Sequence, residues 1–312
     1  MPKSYSIAVG GENLIDQVTT DGHVVSHPGG SPFNVAVAIA RQGADVRYVS
    51  PISTDQWGDL LAERLTDAGV NLTGGRNDRP TTMARVTVTA GIPSYMFERV
   101  GTAERAVDVP FLTDSIGMGV QAVHTGSLTL IDGDDADAWE LTLAQAYDNG
   151  TFVSVDPNVR LSIIADPEDY RVRITRVLGK VHLLKLSDED LSGLYPDLAQ
   201  DDALAQLRAK TSALMVVLTR GPEGASAWLG DTRVDIAAPP VNPLVDTVGA
   251  GDTFMANMLV ALGDRGLLSP QAMAGITPDA ATQVLTRAAQ AAALNCQRAG
   301  CNPPTRDELD AV

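Results

Sequence analysis

Apolar residues along the chain fall into two alternating patterns. Ser6–Gly11 (SIAVGG), Asp45–Ile52 (DVRYVSPI), Gln121–Ser127 (QAVHTGS), Thr151–Pro157 (TFVSVDP), Lys180–Leu186 (KVHLLKL) and Leu214–Arg220 (LMVVLTR) are short runs, mostly β-branched. Such runs suit strands buried on both faces. Between them, helical patterns cover Pro32–Gln42, Gly58–Ala68, Ala136–Asn149, Glu168–Gly179 and Asp201–Lys210, and longer helices are expected at Gly251–Leu262 and Ala280–Arg298. Alternation of this kind builds βαβ units, hence a parallel sheet covered by helices on both faces. One stretch breaks the rhythm. Thr81–Val100 (TTMARVTVTAGIPSYMFERV) has period-two character on both sides of AGIP and reads as a hairpin, either a surface excursion or a lid.

A length of 312 residues suits one large α/β domain, with or without a small appendage. No apolar run approaches the length of a membrane span, and the first residues hold no signal-peptide core, so a cytoplasmic protein is expected. Cys296 and Cys301 then read as inert thiols in a reducing compartment, and the Asn71 and Asn149 sequons as unmodified. A net charge of −16 argues against nucleic acid and acidic membranes as partners, and requires any phosphate site to be locally positive. The acidic cluster Asp132–Glu140 reads as a solvated helix start, its carboxylates favouring the positive end of the dipole.

Two glycine-bearing stretches carry candidate chemistry. In Asp246–Leu259 (DTVGAGDTFMANML), Met255, Met258, Leu259 and Leu262 recur as one helix face, so Gly249 and Gly251 sit at the helix mouth. Unpaired N–H groups and the positive dipole end there bind anions, and bare backbone lets an anion approach. Asp252 is then either a simple helix cap or a proton acceptor beside an anion hole. No Lys follows as a P-loop needs, and the glycine spacing of a dinucleotide fingerprint is incomplete. In His27–Ala40 (HPGGSPFNVAVAIA), Ser31 and Pro32 form a candidate N-cap and first helical residue, with Gly29 and Gly30 before them and Asn34 in the first turn. That mouth suits either a polyhydroxylated ligand or an ordinary capped helix. His23 and His27 read as loop histidines.

Together and in this order, GGSPFNVA and DTVGAGDTF resemble the two signatures of the PfkB/ribokinase family of ATP-dependent sugar kinases. GENLID, HTGSL and KLSDEDL look most like its fructokinase branch, and DPNVR and LTRGPEGA are similar to further landmarks, so the resemblance spans almost the whole chain. It implies a ribokinase-like α/β fold: one domain over 1–312, doubly wound, with a mostly parallel sheet and a small β lid around 72–100. It implies that Asp16, Gly29, Gly30 and Asn34 hold sugar hydroxyls and that Phe97 and Arg99 close over the sugar. Asn158, Arg160 and Lys185 would lie near the acceptor or the ATP phosphates. Thr219, Gly221 and Gly224 would line the nucleotide site, with Asn295 at the adenine edge. Gly249, Ala250 and Gly251 would form the anion hole, and Asp252 would be the base. The expected cofactors are ATP and Mg²⁺, with a monovalent cation (K⁺) near Asp246. Fructose is the expected acceptor, with ribose, 2-keto-3-deoxygluconate or a non-catalytic binder as alternatives, and a homodimer through the lid is expected. Asn257 departs from the second signature, which has Gly at that place.

Overall fold

The structure is a computed structural model describing residues 5–20, 23–89 and 92–312. Among these, nine strands form the main sheet in the order Thr232–Ile236, Ala225–Leu229, Met215–Thr219, Leu183–Ser187, Phe152–Asp156, Ala122–Gly126, Ser6–Val9, Asp45–Tyr48, Asn71–Leu72. The first three pair antiparallel and every later neighbour is parallel. All six predicted strands are present. Their alternation splits the core in two: Ile7, Val9, Met215 and Val217 face one layer of helices, while Ala8, Val216 and Leu218 face the other.

Chain order diverges at Ser6–Val9, which pairs with Asp45–Tyr48 on one side and Ala122–Gly126 on the other. The crevice beyond the carboxyl ends of strands at such a switch point is where open α/β sheets bind ligands. Glu12 leaves the first strand there, and Ser127 leaves the second.

The seven predicted helices are Ser31–Arg41, Gln56–Ala68, Gly133–Asp148, Pro167–Leu178, Gln200–Lys210, Ala250–Asp264 and Pro278–Cys296. Several begin earlier than periodicity suggests, because a capping side chain and first-turn prolines precede the apolar pattern: Asp166 accepts from Glu168 N–H, and Thr277 from Ala280 N–H. The Ala250 helix is corrected in character. It is buried from Asp252 to Gly263, on all sides rather than one face, between the Ser31 and Pro278 helices. Ser31 is also corrected: the cap position belongs to Gly30 at φ 111°, and Ser31 is the first helical residue with no capping bond.

The predicted hairpin's two strands are Thr82–Thr89 and Ile92–Glu98, with Ala90 and Gly91 outside the described residues, but they are half of a larger lid. Leu14–Thr20 pairs parallel with Thr82–Thr89, and His23–Gly29 pairs antiparallel with Leu14–Thr20 at the edge. These two strands escaped the pattern because LIDQVTT and HVVSHPG are too polar to alternate clearly, and Pro28 is tolerated only because its strand is an edge. His23 and His27 are therefore strand residues. In the acidic cluster, Asp135 is buried against Arg105 at 2.7 Å rather than solvated. No described helix is long and apolar enough to cross a membrane.

Candidate active site

Asp252 is the third residue of the Ala250 helix and does not cap it. The cap position is Gly249, left-handed at φ 74°, and no side chain caps this end; Ala250 N–H donates to Thr247 O at 3.1 Å, and the next N–H groups of the turn are the ones that such a helix start can offer an anion. A Cβ on Gly249 would lie 2.2 Å from Cys301 Sγ, so both the backbone angle and the packing exclude a side chain. The Asp252 carboxylate is 8% exposed. Its Oδ1 accepts from Ser31 Oγ at 2.7 Å and its Oδ2 from Asn34 Nδ2 at 2.8 Å. Burial pushes its pKa up, opposed by those two hydrogen bonds and by the charge of Lys185. A carboxylate raised in this way is a stronger base than a solvated one.

Lys185, on the strand Leu183–Ser187, places Nζ 2.5 Å from Asp156 Oδ2, both side chains nearly inaccessible. Burial pushes the ammonium down, but the charge and hydrogen bond of Asp156 outweigh it and the pKa rises, so Lys185 is a fixed cation. A Cβ on Gly251 would lie 3.3 Å from that Nζ, so the bare glycine lets the ammonium come close to the Gly249–Gly251 backbone.

Two clefts meet here. One, of 690 Å³, is lined by Asp16, Gly30, Asn34 and Phe97 on the lid side, by Asn158, Arg160 and Lys185 opposite, and by Gly249, Ala250, Gly251 and Asp252. The other, of 530 Å³, is lined by Thr219, Gly221 and Gly224 with apolar walls that include Ile236, Pro239 and Phe254. They share Thr247, Ala250 and Gly251. The chain matches the pfkB family carbohydrate kinases over residues 7–308. It belongs to that family. This kinase is 34% identical over 278 residues, 86% of its own chain and 83% of the relative, to a fructokinase of Rhizobium leguminosarum bv. trifolii. Its ribokinase-like fold superimposes on the fructokinase of Xylella fastidiosa with bound ATP at a TM-score of 0.90 and 26% identity, covering 99% and 98% of the two chains. It also superimposes on a double mutant of the Vibrio cholerae O395 fructokinase in fructose, ADP and potassium ion bound form, at 0.83 and 25%, covering 100% and 99%.

Three predicted residues lie elsewhere. Arg99 lines neither cleft: it is buried, with Nη2 donating to Leu128 O at 2.8 Å and Nη1 3.7 Å from Asp132, so it braces the lid's root. Asn295 is fully buried and structural, donating from Nδ2 to Val248 O and accepting at Oδ1 from Asn302 N–H. It steadies the backbone before Gly249 and does not line the second cleft. Gly29 acts behind Asp16, since a Cβ there would fall 2.5 Å from Asp16 Oδ2. Asn257 turns its Nδ2 back to Thr253 O and leaves Oδ1 buried without a described partner.

Other residues of this kinase's site were not singled out from the sequence. Asp156 fixes Lys185. Asp190 accepts Val159 N–H at 2.6 Å while its other oxygen joins Ser187 in a capping box, which pins the Asn158–Arg160 loop. Glu12, in the same GENLID run as Asp16, is 2% exposed in the first cleft. Burial pushes its carboxyl up to about 7, against hydrogen bonds and the charge of Arg99. A single carboxylate after a strand has no sequence signal that separates it from a solvated loop residue.

Proposed function

We propose that this kinase transfers the γ-phosphoryl group of ATP to a hydroxyl of fructose, giving fructose 6-phosphate. The observation that carries the reading is Asp252, a buried carboxylate held by Ser31 and Asn34 at a helix mouth where two clefts join. Fructose is favoured by the 34% identical relative and by the fructose, ADP and potassium bound neighbour. The apolar second cleft suits a nucleoside base, and Gly221 and Gly224, both at positive φ, keep its rim free of side chains.

In this reading Asp16 and Asn34 orient the sugar. Asp252 takes the proton of the attacking hydroxyl. The Gly249–Gly251 backbone and the helix dipole, with Lys185 and Arg160, stabilise negative charge on the transferring group. No group of three described His, Cys, Asp or Glu residues could cage a metal, so Mg²⁺ fits as a partner of the nucleotide phosphates and not as a protein-bound ion. When bound, it neutralises phosphate charge. A monovalent cation beside Asp246 belongs to the same reading. The carboxylate there already accepts Val248 and Gly300 N–H, which leaves other lone pairs for an ion. A homodimer through the lid and a cytoplasmic setting complete it, the exposed Val24 and Met96, which the strand register puts on one face of the lid sheet, marking the face to be covered.

A panel of ketoses, aldoses and sugar acids, with ribose and 2-keto-3-deoxygluconate included, tests the acceptor. Fructose should have the highest kcat/KM. Asp252→Asn tests the base: turnover should fall by at least about a hundredfold while calorimetry still shows sugar and ATP binding. Near-wild-type kcat in that variant defeats the mechanism.

A further inference from the structure

We propose that Glu12 is a positioning residue for the reaction: its buried carboxylate seats the first turn of the Ser31 helix, and that turn in turn holds Asp252. The inference rests on the reading of Asp252 as base. Glu12 follows the first strand of the main sheet at the switch point. Its Oε1 accepts Ser31 N–H at 3.0 Å, and its Oε2 accepts the Thr129 hydroxyl at 3.1 Å. Its own N–H donates to Thr129 Oγ1 at 3.2 Å. A Cβ on Gly30 would come 2.4 Å from Glu12 O, so the chain before the helix is pressed onto Glu12.

Ser31 therefore has two duties. Its N–H, one of the unpaired donors of a helix start, is taken by Glu12, and its hydroxyl is left for Asp252 Oδ1. Asn34, whose N–H closes the first turn on Gly30 O at 2.9 Å, reaches the other oxygen of Asp252. The Ser31 helix has no capping side chain of its own position. Glu12 does that work from another element and ties the end of the first strand and the Thr129 turn to the base. Both its oxygens are engaged by protein, so it is a poor candidate for a sugar ligand and a good one for an anchor.

The position is costly for a carboxylate. Arg99, from the lid's root, is the cation whose charge reaches Glu12, without an ion-pair contact among the described residues. Ser127 from the turn after Ala122–Gly126 and Tyr48 from its own strand are the other polar groups facing it. Burial outweighs them and pushes the carboxyl up to about 7. Activity thus needs two carboxylates in the charged form, Asp252 to take a proton and Glu12 to bind two donors.

The test is the pH dependence of kcat/KM for the sugar at saturating nucleotide. In the wild-type enzyme the acid limb should steepen to a slope of about two. Glu12→Gln, which turns one acceptor oxygen into a donor, should reduce the limb to a slope of about one and lower kcat at least tenfold near about pH 8, with the KM for ATP within about twofold and the melting temperature not lowered. Should the variant not fold, the wild-type limb still decides: a slope of one overturns the proposal. So does a Glu12→Gln enzyme with wild-type kcat and an unchanged limb. Asp252→Asn in parallel separates the two ideas. If it is active, the base assignment is wrong. If it is inactive while Glu12→Gln matches wild type, only the role of Glu12 is lost.

Discussion

Replacing Lys185 by Met removes one partner of the most buried ion pair in the site and leaves the other in place. The side chains of Lys185 and Asp156 are 5% and 3% exposed, so solvent cannot compensate the orphaned carboxylate. Breaking a buried pair from one side costs about 3–5 kcal/mol, a large part of the roughly 5–15 kcal/mol by which domains are stable. The one described relief is Asn158 N–H, which donates to Asp156 Oδ1 at 3.2 Å. The loss should depend on pH. In the wild-type chain the pKa of Lys185 lies above its ordinary value, so the lysine's contribution is fully present below the unfolded pKa and is lost only as pH rises through the folded one. Neutral conditions leave it untouched. In the variant the charge of Asp156 is left in a buried site with no cation to offset it. The gap in stability from wild type is therefore expected to widen as rising pH favours the charged carboxylate, from about pH 5 to about pH 8. Urea unfolding at the two pH values measures both quantities. Adding Asp156→Asn to Lys185→Met should recover most of the loss, because no buried charge remains. A single variant within about 1 kcal/mol of wild type at the higher pH, or a gap that does not change with pH, would refute this account of the pair.

Gly249→Ala should destabilise the enzyme by at least about 1–3 kcal/mol and abolish turnover, since it meets both a left-handed backbone and Cys301 Sγ; thermal unfolding and steady-state kinetics read the two effects. Asp16→Ala should weaken sugar binding by about 1.5–3 kcal/mol and leave ATP binding nearly unchanged, whereas equal losses for both ligands in calorimetry would make Asp16 structural. Light scattering at micromolar concentration should give a dimer mass, and Val24→Asp, on the lid face shared with Met96, should shift it to monomer without altering the fold.

The two-layer sheet was legible because buried parallel strands are continuous apolar runs, and Val123, Val153, Leu184 and Val216 each sit within one. The lid was half legible. Thr82–Glu98 alternates, but Leu14–Gly29 carries Asp16, Gln17, His23, His27 and Pro28, residues kept for a cleft and an edge and not for a core. The site divides in the same way. Gly249, Gly251, Gly30 and Asn34 stood out because a helix mouth has a composition. Glu12 and Asp190 did not, because what makes them matter is burial and a partner 19 or 31 residues away. Arg99 and Asn295 were assigned to ligands because a polar residue in a matching segment looks functional until its bonds to the backbone are seen.

Charge ties these observations together. The first cleft is lined by five carboxylates, Glu12, Asp16, Asp156, Glu189 and Asp252, against two cations, Lys185 and Arg160. In a protein of net charge −16 such a site should repel a nucleoside triphosphate. The structure mutes the excess one group at a time. Asp156 is spent on Lys185, Glu12 is pushed to about 7 and bound to two donors, and Asp252 is raised by burial and held by Ser31 and Asn34. On the proposed reading, what faces the Gly249–Gly251 loop is then a fixed ammonium, an uncapped helix start and Asp252 as base, with Arg160 opposite. Asp16 is raised by burial as well, and His27 and Arg160 both draw its charge. Four of the five, Glu12, Asp16, Asp156 and Asp252, have a protein partner or are raised by burial, which on the proposed reading lets a carboxylate-rich cleft accept phosphate. In that same reading the remaining deficit of positive charge is one that a divalent cation bound with the nucleotide would offset.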